Sequence, residues 1–341
     1  MFPKSFSDFT FYQKKKDILI YKAADSNHQY ILKCSENTTP ALKQALLDED
    51  SYCQMEIHMN AEAVVKAMVI ADGMGGLSGG KYYSEAAVNL WYQELLQTLM
   101  SDRFKGNPLD RQIEILQEFS EEIYSKLNQG LYKKGLDAGI KGGTTLSAVI
   151  HFWDTFIVSN CGDSPIYRIK NGTIELISEV QNVAEEMVRE GKTTAGSVLY
   201  YQNKNRLLDY LGKRKECKPY CRLFPVEEID GILMGSDGAF GDLTKAEIET
   251  ICCDCERPQR VIGQIFESAR ESGEEDNQTA ILYVNQEKEK NKKESEVKFP
   301  KTDTRQSKKK EDICCYTELP KSKKPLSLKE KLFKNRFIGG R

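Results

Sequence analysis

The chain holds 341 residues, 40% of them hydrophobic and 29% charged, with 49 Lys and Arg against 51 Asp and Glu. That balance supports a sizeable buried core and carries no collagen-like or mucin-like bias. The longest apolar runs, such as Ala67-Met68-Val69-Ile70-Ala71, fall far short of the roughly 18 residues needed to cross a bilayer, so no transmembrane segment is readable.

From the N-terminus, Lys4, Asp8 and Gln13 interrupt the apolar positions that a secretory signal would need. A cytoplasmic location is therefore expected, although delivery into a host cell by a secretion system that needs no signal peptide would leave the same sequence. Short β-branched stretches bounded by Gly, Asn or Asp predict strands over 18–23, 30–34, 52–58, 63–71, 144–152, 155–160, 166–170, 174–177, 217–224, 231–235 and 279–284. Helical periodicity appears over 80–100, 108–129, 181–189, 245–253 and 258–272, with Pro108 and Pro258 suited to first-turn positions. Asn171-Gly172 between two strands predicts a tight type I′ hairpin and hence antiparallel pairing. Strands that run together and helices that come in pairs favour an α+β sandwich over an alternating βαβ sheet.

Charge divides the chain. From Gln286 to Arg341 there are 18 basic and 9 acidic residues, which leaves 31 basic and 42 acidic for the rest. We expect a folded domain over 1–285 and a basic, largely disordered tail over 286–341. The tail's charge suits weak contact with an anionic membrane, and Cys314-Cys315 within it are candidates for acylation. No nucleic-acid partner is expected, and a monomer is. Among the ten cysteines, neither Cys217 with Cys221 nor Cys252, Cys253 and Cys255 has the paired spacing of a structural zinc site, so reduced thiols are expected.

The densest chemical signal is Val69-Ile70-Ala71-Asp72-Gly73-Met74-Gly75-Gly76, a strand ending in a carboxylate and then glycines. A strand end is a rigid platform, and glycines let the backbone turn and present carbonyls beside the acid. Glu49-Asp50, Asp163, Asp237 and Asp276 likewise abut predicted strands. One Asp beside Gly is ordinarily a turn residue; several at strand ends can converge on hard cations, which prefer carboxylate, carbonyl and water oxygens. Gly75-Gly76-Leu77-Ser78-Gly79-Gly80-Lys81 also fits a phosphate-binding loop, but Tyr82 stands where the metal-ligating Ser or Thr is required.

The order and spelling of these motifs resemble the metal-dependent serine/threonine protein phosphatases of type 2C. The resemblance rests on Glu49-Asp50, Asp72-Gly73-Met74-Gly75-Gly76, Gly142-Gly143-Thr144-Thr145, Asn160-Cys161-Gly162-Asp163-Ser164, Asn205-Arg206-Leu207-Leu208, Ser236-Asp237-Gly238 and Asp276-Asn277. It implies a four-layer α-β-β-α sandwich of two antiparallel sheets flanked by helix pairs. It also implies two Mn²⁺ or Mg²⁺ ions, with room for a third, and hydrolysis of phosphoserine or phosphothreonine in a phosphoprotein substrate by a metal-bridging hydroxide. By that resemblance Asp72 bridges the metals, Asp237 and Asp276 complete one site, and Glu49 with the Gly73 carbonyl completes the other. Asp50 orients water, and Asp163 joins Asp237 at the third ion.

Two positions depart from the family pattern. Ala45 replaces the Arg that grips the substrate phosphate, which leaves Lys43 as a nearby point charge and Arg206 as a second candidate contact. Pro165 follows Gly-Asp-Ser where the family has Arg. These departures motivate an alternative, a pseudophosphatase that binds a phosphoprotein or partner without turnover. His28, His58 and His151 match no catalytic motif and are read as structural.

Overall fold

The computed structural model describes residues 19–22, 28–34, 48–59, 63–75, 79–213, 215–253 and 258–285. Lys43, Ala45 and the basic tail with Cys314-Cys315 lie outside the described residues. In chain order the elements begin with β1 (Leu19–Lys22), β2 (His28–Cys34), β3 (Ser51–His58), β4 (Val64–Ala71) and β5 (Gly73–Met74). The helices α1 (Gly79–Met100), α2 (Asp102–Lys105) and α3 (Leu109–Ala138) follow. Next come β6 (Gly143–Thr144), β7 (Leu146–Phe152), β8 (Thr155–Cys161), β9 (Ile166–Lys170) and β10 (Thr173–Leu176). The last part holds α4 (Val183–Arg189), α5 (Val198–Tyr201), β11 (Tyr220–Pro225), β12 (Gly231–Gly235), α6 (Asp237–Phe240), α7 (Lys245–Cys252), α8 (Pro258–Glu271) and β13 (Thr279–Asn285).

Two antiparallel sheets result, ordered β1-β2-β13-β12-β9-β10 and β11-β8-β7-β4-β3, with β5 and β6 forming a separate short pair. Alternation along the central strands explains why both faces of each sheet are covered. Val65, Ala67, Val69 and Ala71 of β4 face Trp91, Leu95, Leu99 and Ile123 of α1 and α3, whereas Met68 and Ile70 face Ile232, Met234, Ile281 and Tyr283 of the other sheet. Ala280, Leu282 and Val284 then turn outward to Val261, Ile262, Ile265 and Phe266 of α8. Central strands such as β4, β7 and β12 are therefore buried along their length because neither face meets water.

Asn171 and Gly172 both take positive φ, 51° and 80°, and close the β9–β10 hairpin as the Asn-Gly pair predicts. The single strand expected over 144–152 is instead two. Gly143–Thr144 pairs with Gly73–Met74, and Leu146–Phe152 joins the five-stranded sheet. The break falls at Thr145, whose N–H donates to the Asp72 carbonyl at 2.9 Å. Helix α3 continues past the expected end to a left-handed Gly139 cap with φ 66°. The sequence reading missed α2, α5 and α6, each four residues long, because one helical turn carries no detectable period.

Candidate metal centre

The registers bring the acids to one end of both sheets. Ser51 pairs with Ala71, so Asp50 and Asp72 leave adjacent strands at the same edge. Leu146 pairs with Cys161, which puts Asp163 at that edge too. In the other sheet Gly235 pairs with Ala280 and Met234 with Ile166, so Asp237, Asp276 and Asp163 share its corresponding end. A hydrogen bond from Ser236 Oγ to Asp50 Oδ2, 2.8 Å, joins the two ends.

Neutral groups fix the backbone of Asp72 and Glu49. Asp72 N–H donates to Thr145 Oγ1 at 3.0 Å, and Thr144 Oγ1 donates to the Asp72 carbonyl at 2.9 Å. Glu49 N–H donates to Asn277 Oδ1 at 3.0 Å, and Ser84 Oγ donates to the Glu49 carbonyl at 2.6 Å. The Glu49 carboxylate accepts backbone hydrogen bonds from Gly80 and Lys81 at the start of α1, where the helix presents unpaired N–H groups. Asp237 Oδ1 accepts from Gly238 N–H at 2.7 Å.

The carboxyls crowd one another. Part of Asp72 remains open to solvent, but the atoms round its carboxyl desolvate it. That burial, the Asp237, Asp50 and Asp276 charges and a hydrogen bond with Asp237 push its pKa well above the usual carboxylate range. Burial and the Asp48 charge push Asp50 up to about 8. Burial, with Asp237 nearby, also raises Asp163, whose carboxyl hydrogen-bonds Asn182. Glu49 is raised by burial against the opposing pull of the Gly80 and Lys81 backbone.

Two glycines let these groups converge. A Cβ on Gly80 would lie 2.5 Å from the Gly73 carbonyl oxygen and 2.6 Å from Glu49 Oε1, so both oxygens border the same small space. Gly73 is equally confined, with a would-be Cβ 2.2 Å from the Gly80 carbonyl oxygen. An all-oxygen donor set with two carboxyls in hydrogen-bond contact fits hard divalent cations. Among the described residues no three His, Cys, Asp or Glu side chains already close round a single point, so the acids form an open array.

A cleft of about 240 Å³ opens beside this array. Asp163, Asp237 and Asp276 line it together with Tyr200, Lys204 and Asn205. Pro165 also borders it. Arg206 is exposed, donates to Asn203 Oδ1 at 2.9 Å and is not among the lining residues. His151 lies between the sheets, stacked on Phe156 at 4.2 Å, and His58 lies 2.7 Å from Glu56 at the far end of β3.

The Protein phosphatase 2C family model matches residues 44–282. The chain belongs to the protein phosphatase 2C family. The phosphatase is 27% identical over 218 residues to the serine/threonine phosphatase stp of Listeria innocua, spanning 63% of this chain and 82% of that one. In structure it resembles Stp1 from Staphylococcus aureus, with a TM-score of 0.60 and 19% identity over 80% of this chain and 98% of that one. It also resembles the catalytic domain of the phosphatase PstP in complex with two manganese ions, with a TM-score of 0.54 and 19% identity over 75% and 97% of the two chains.

The sequence reading singles out the acids that the fold gathers at this end and misses most of what holds them. In the sequence Thr144 and Thr145 stand in a motif without a readable role, and Asn277 and Ser236 only as neighbours of acids. Asn182 and Lys204 carry no signal in the sequence, since contact with the site depends on tertiary placement, and Gly80 stands out only within the G-x-x-x-x-G-K spelling.

Proposed function

We propose that this phosphatase hydrolyses phosphoserine and phosphothreonine in proteins with the help of two Mn²⁺ or Mg²⁺ ions held by the acid array. The observation that carries the reading is the hydrogen-bonded contact of the Asp72 and Asp237 carboxyls among acids gathered from both sheets. Like charges at that distance require a shared proton or a cation. Asp72 would serve both ions, Glu49 and the Gly73 carbonyl would help hold one, Asp237 and Asp276 the other, and Asp163 would serve a third, weaker position. When bound, such cations supply a water of lowered pKa as nucleophile and neutralise charge on the phosphoryl oxygens.

The chain's own residues orient this chemistry. Ser236 holds the Asp50 carboxyl in place as a proton acceptor beside Asp237. Threonines 144 and 145 fix the Asp72 main chain from both sides. The cleft lined by these acids and by Tyr200, Lys204 and Asn205 admits the phosphorylated side chain, with the Lys204 ammonium, which pairs with Asp242, along its lining. Retention of all these acids favours turnover over phosphoprotein binding alone.

The test is release of phosphate from a phosphothreonine peptide by the full chain with Mn²⁺, with EDTA, and in Asp237→Asn. Turnover is expected only with the metal and is expected to fall to background in the variant. Because Asp237 charge disfavours ionisation of Asp72 and Asp163, the variant should also melt higher than the parent in EDTA. Undiminished turnover in EDTA or in Asp237→Asn refutes the assignment.

A further inference from the structure

Behind the acid array, on the side of the five-stranded sheet that faces α3, three thiols gather round the buried Tyr124. Cys161 ends β8, and Cys217 and Cys221 flank the start of β11. The Cys161 thiol lies between two acceptors, Asp209 Oδ1 at 3.6 Å and the Cys217 sulfur, with which it hydrogen-bonds. Asp209 in turn pairs with Lys213 Nζ at 2.5 Å. Hydrogen bonding with Cys161, aided to a lesser degree by its own backbone and the Lys213 ammonium, holds the Cys217 thiol below its ordinary pKa against burial and the Asp209 charge. Both residues are buried, Cys217 less completely than Cys161, at 6% exposure against none.

The pair is wired to the acids. Gly162 follows Cys161 directly, and its N–H donates to Gln181 Oε1 at 2.9 Å, while Gln181 Nε2 donates to the Lys218 carbonyl at 2.8 Å. Gln181 thus ties together the two segments that carry the thiols. A Cβ on Gly162 would stand 2.7 Å from Thr145 Cβ, and Thr145 Oγ1 bonds both Ser164 Oγ and the Asp72 N–H. Any shift of Cys161 therefore reaches Asp72 and Asp163 through packed neighbours.

We propose that Cys161 and Cys217 form a reversible disulfide on exposure to hydroperoxide, and that this bond switches the phosphatase off by displacing the Gly162–Asp163 segment. The inference rests on the phosphatase reading for its consequence, though not for the bond. Thiolate sulfur of Cys217 attacks the peroxide, breaking the O–O bond to give a sulfenic acid and an alkoxide, or hydroxide, that takes a proton from water. The Cys161 thiol then attacks that sulfur, forming the S–S bond and releasing water. Two electrons pass from the sulfur pair to the peroxide.

The test treats the full chain with hydrogen peroxide, then maps peptides without reduction and assays phosphothreonine peptide hydrolysis before and after dithiothreitol. Expected are a peptide joining Cys161 to Cys217 with the loss of two hydrogens, loss of most turnover, and its recovery on reduction. Cys217→Ser should keep its turnover through the same treatment. Exposed Cys253 reports in each sample that oxidant was effective. Free Cys161 and Cys217 after Cys253 is oxidised, or a bridged protein with unchanged turnover, overturns the proposal. Absence of turnover in the reduced protein instead counts against the phosphatase reading, and the peptide map still decides the bond.

Discussion

Replacing Gly80 by alanine puts one methyl group where two expected metal donors meet. The new Cβ would lie 2.5 Å from the Gly73 carbonyl oxygen and 2.6 Å from Glu49 Oε1, whereas real Cβ contacts essentially never fall under 3.0 Å. The two oxygens must therefore retreat by about 0.5 Å, which is the whole tolerance within which a site's donors have to be held, roughly 0.5 Å. Overpacking costs about 1–3 kcal/mol, and alanine's better helix propensity offsets about 0.5–1 kcal/mol of it. Helix α1 remains anchored along its length by Trp91, Leu95 and Leu99, so Gly80→Ala should fold. The expected outcome is a fall of about 10–100-fold in Mn²⁺ affinity or activity, read from initial rates on a phosphopeptide across a Mn²⁺ titration, with melting in EDTA as the check on folding. Gly130→Ala in α3 is the matched control, because nothing lies within 4 Å of its would-be Cβ. It should gain about 0.5–1 kcal/mol and leave the titration unchanged. A folded Gly80→Ala protein with the parent's Mn²⁺ midpoint and rate would refute the convergence of Glu49 and Gly73 on a metal.

Thr145→Val keeps the side-chain shape and removes the oxygen that accepts from Asp72 N–H and shares a 2.7 Å hydrogen bond with Ser164 Oγ. Two buried groups lose a partner, so urea unfolding should shift by about 1–3 kcal/mol, with turnover reduced as Asp72 loosens; an unchanged midpoint counts against this role. The carboxyl crowding also sets a pH trend for the cation-free protein. Asp50 is pushed up to about 8, and Asp72 and Asp163 are raised as well, so the folded state binds more protons than the unfolded chain between about pH 4 and 8. Their stabilising protonation is complete below the unfolded values and is lost as pH rises through that window. In EDTA the melting temperature should fall from pH 5 to pH 8, and Mn²⁺ should restore it most at pH 8, where binding need displace fewer protons. A melting temperature that climbs steadily to pH 8 in EDTA contradicts the crowding.

What the sequence made legible follows from how locally each feature is encoded. Asn171-Gly172 has one favoured backbone solution, so the hairpin could be read from two residues. Asp72 and Asp237 were readable because each follows an apolar run that must be a strand, and a strand's end is a fixed place. Thr145 marks where that logic stops. Its residue type suits a strand, but its N–H and hydroxyl serve Asp72 instead, and the β6–β7 break depends on a partner 73 positions away. The Cys161–Cys217 contact was illegible for the same reason, since the loop that returns Cys217 to β8 has no periodic pattern of its own.

The glycine-rich segment before α1 makes the sharper case. Its G-x-x-x-x-G-K spelling signals a helix N-terminus preceded by glycines, which is a site for anions whatever the anion is. In the phosphatase the anion is the Glu49 carboxylate, held by the Gly80 and Lys81 backbone. The Lys81 ammonium donates to the Asp50 carbonyl at 2.6 Å rather than reaching outward for a nucleotide. The close approach of the Glu49 strand entry to α1 leaves no room for a side chain at Gly73 or Gly80. Both glycines are thus explained by a protein carboxylate and a carbonyl meeting at one point, and neither requires a phosphate loop. The electrostatic content of the motif was sound; the identity of the bound anion was fixed by the entry to β3, which the motif does not contain.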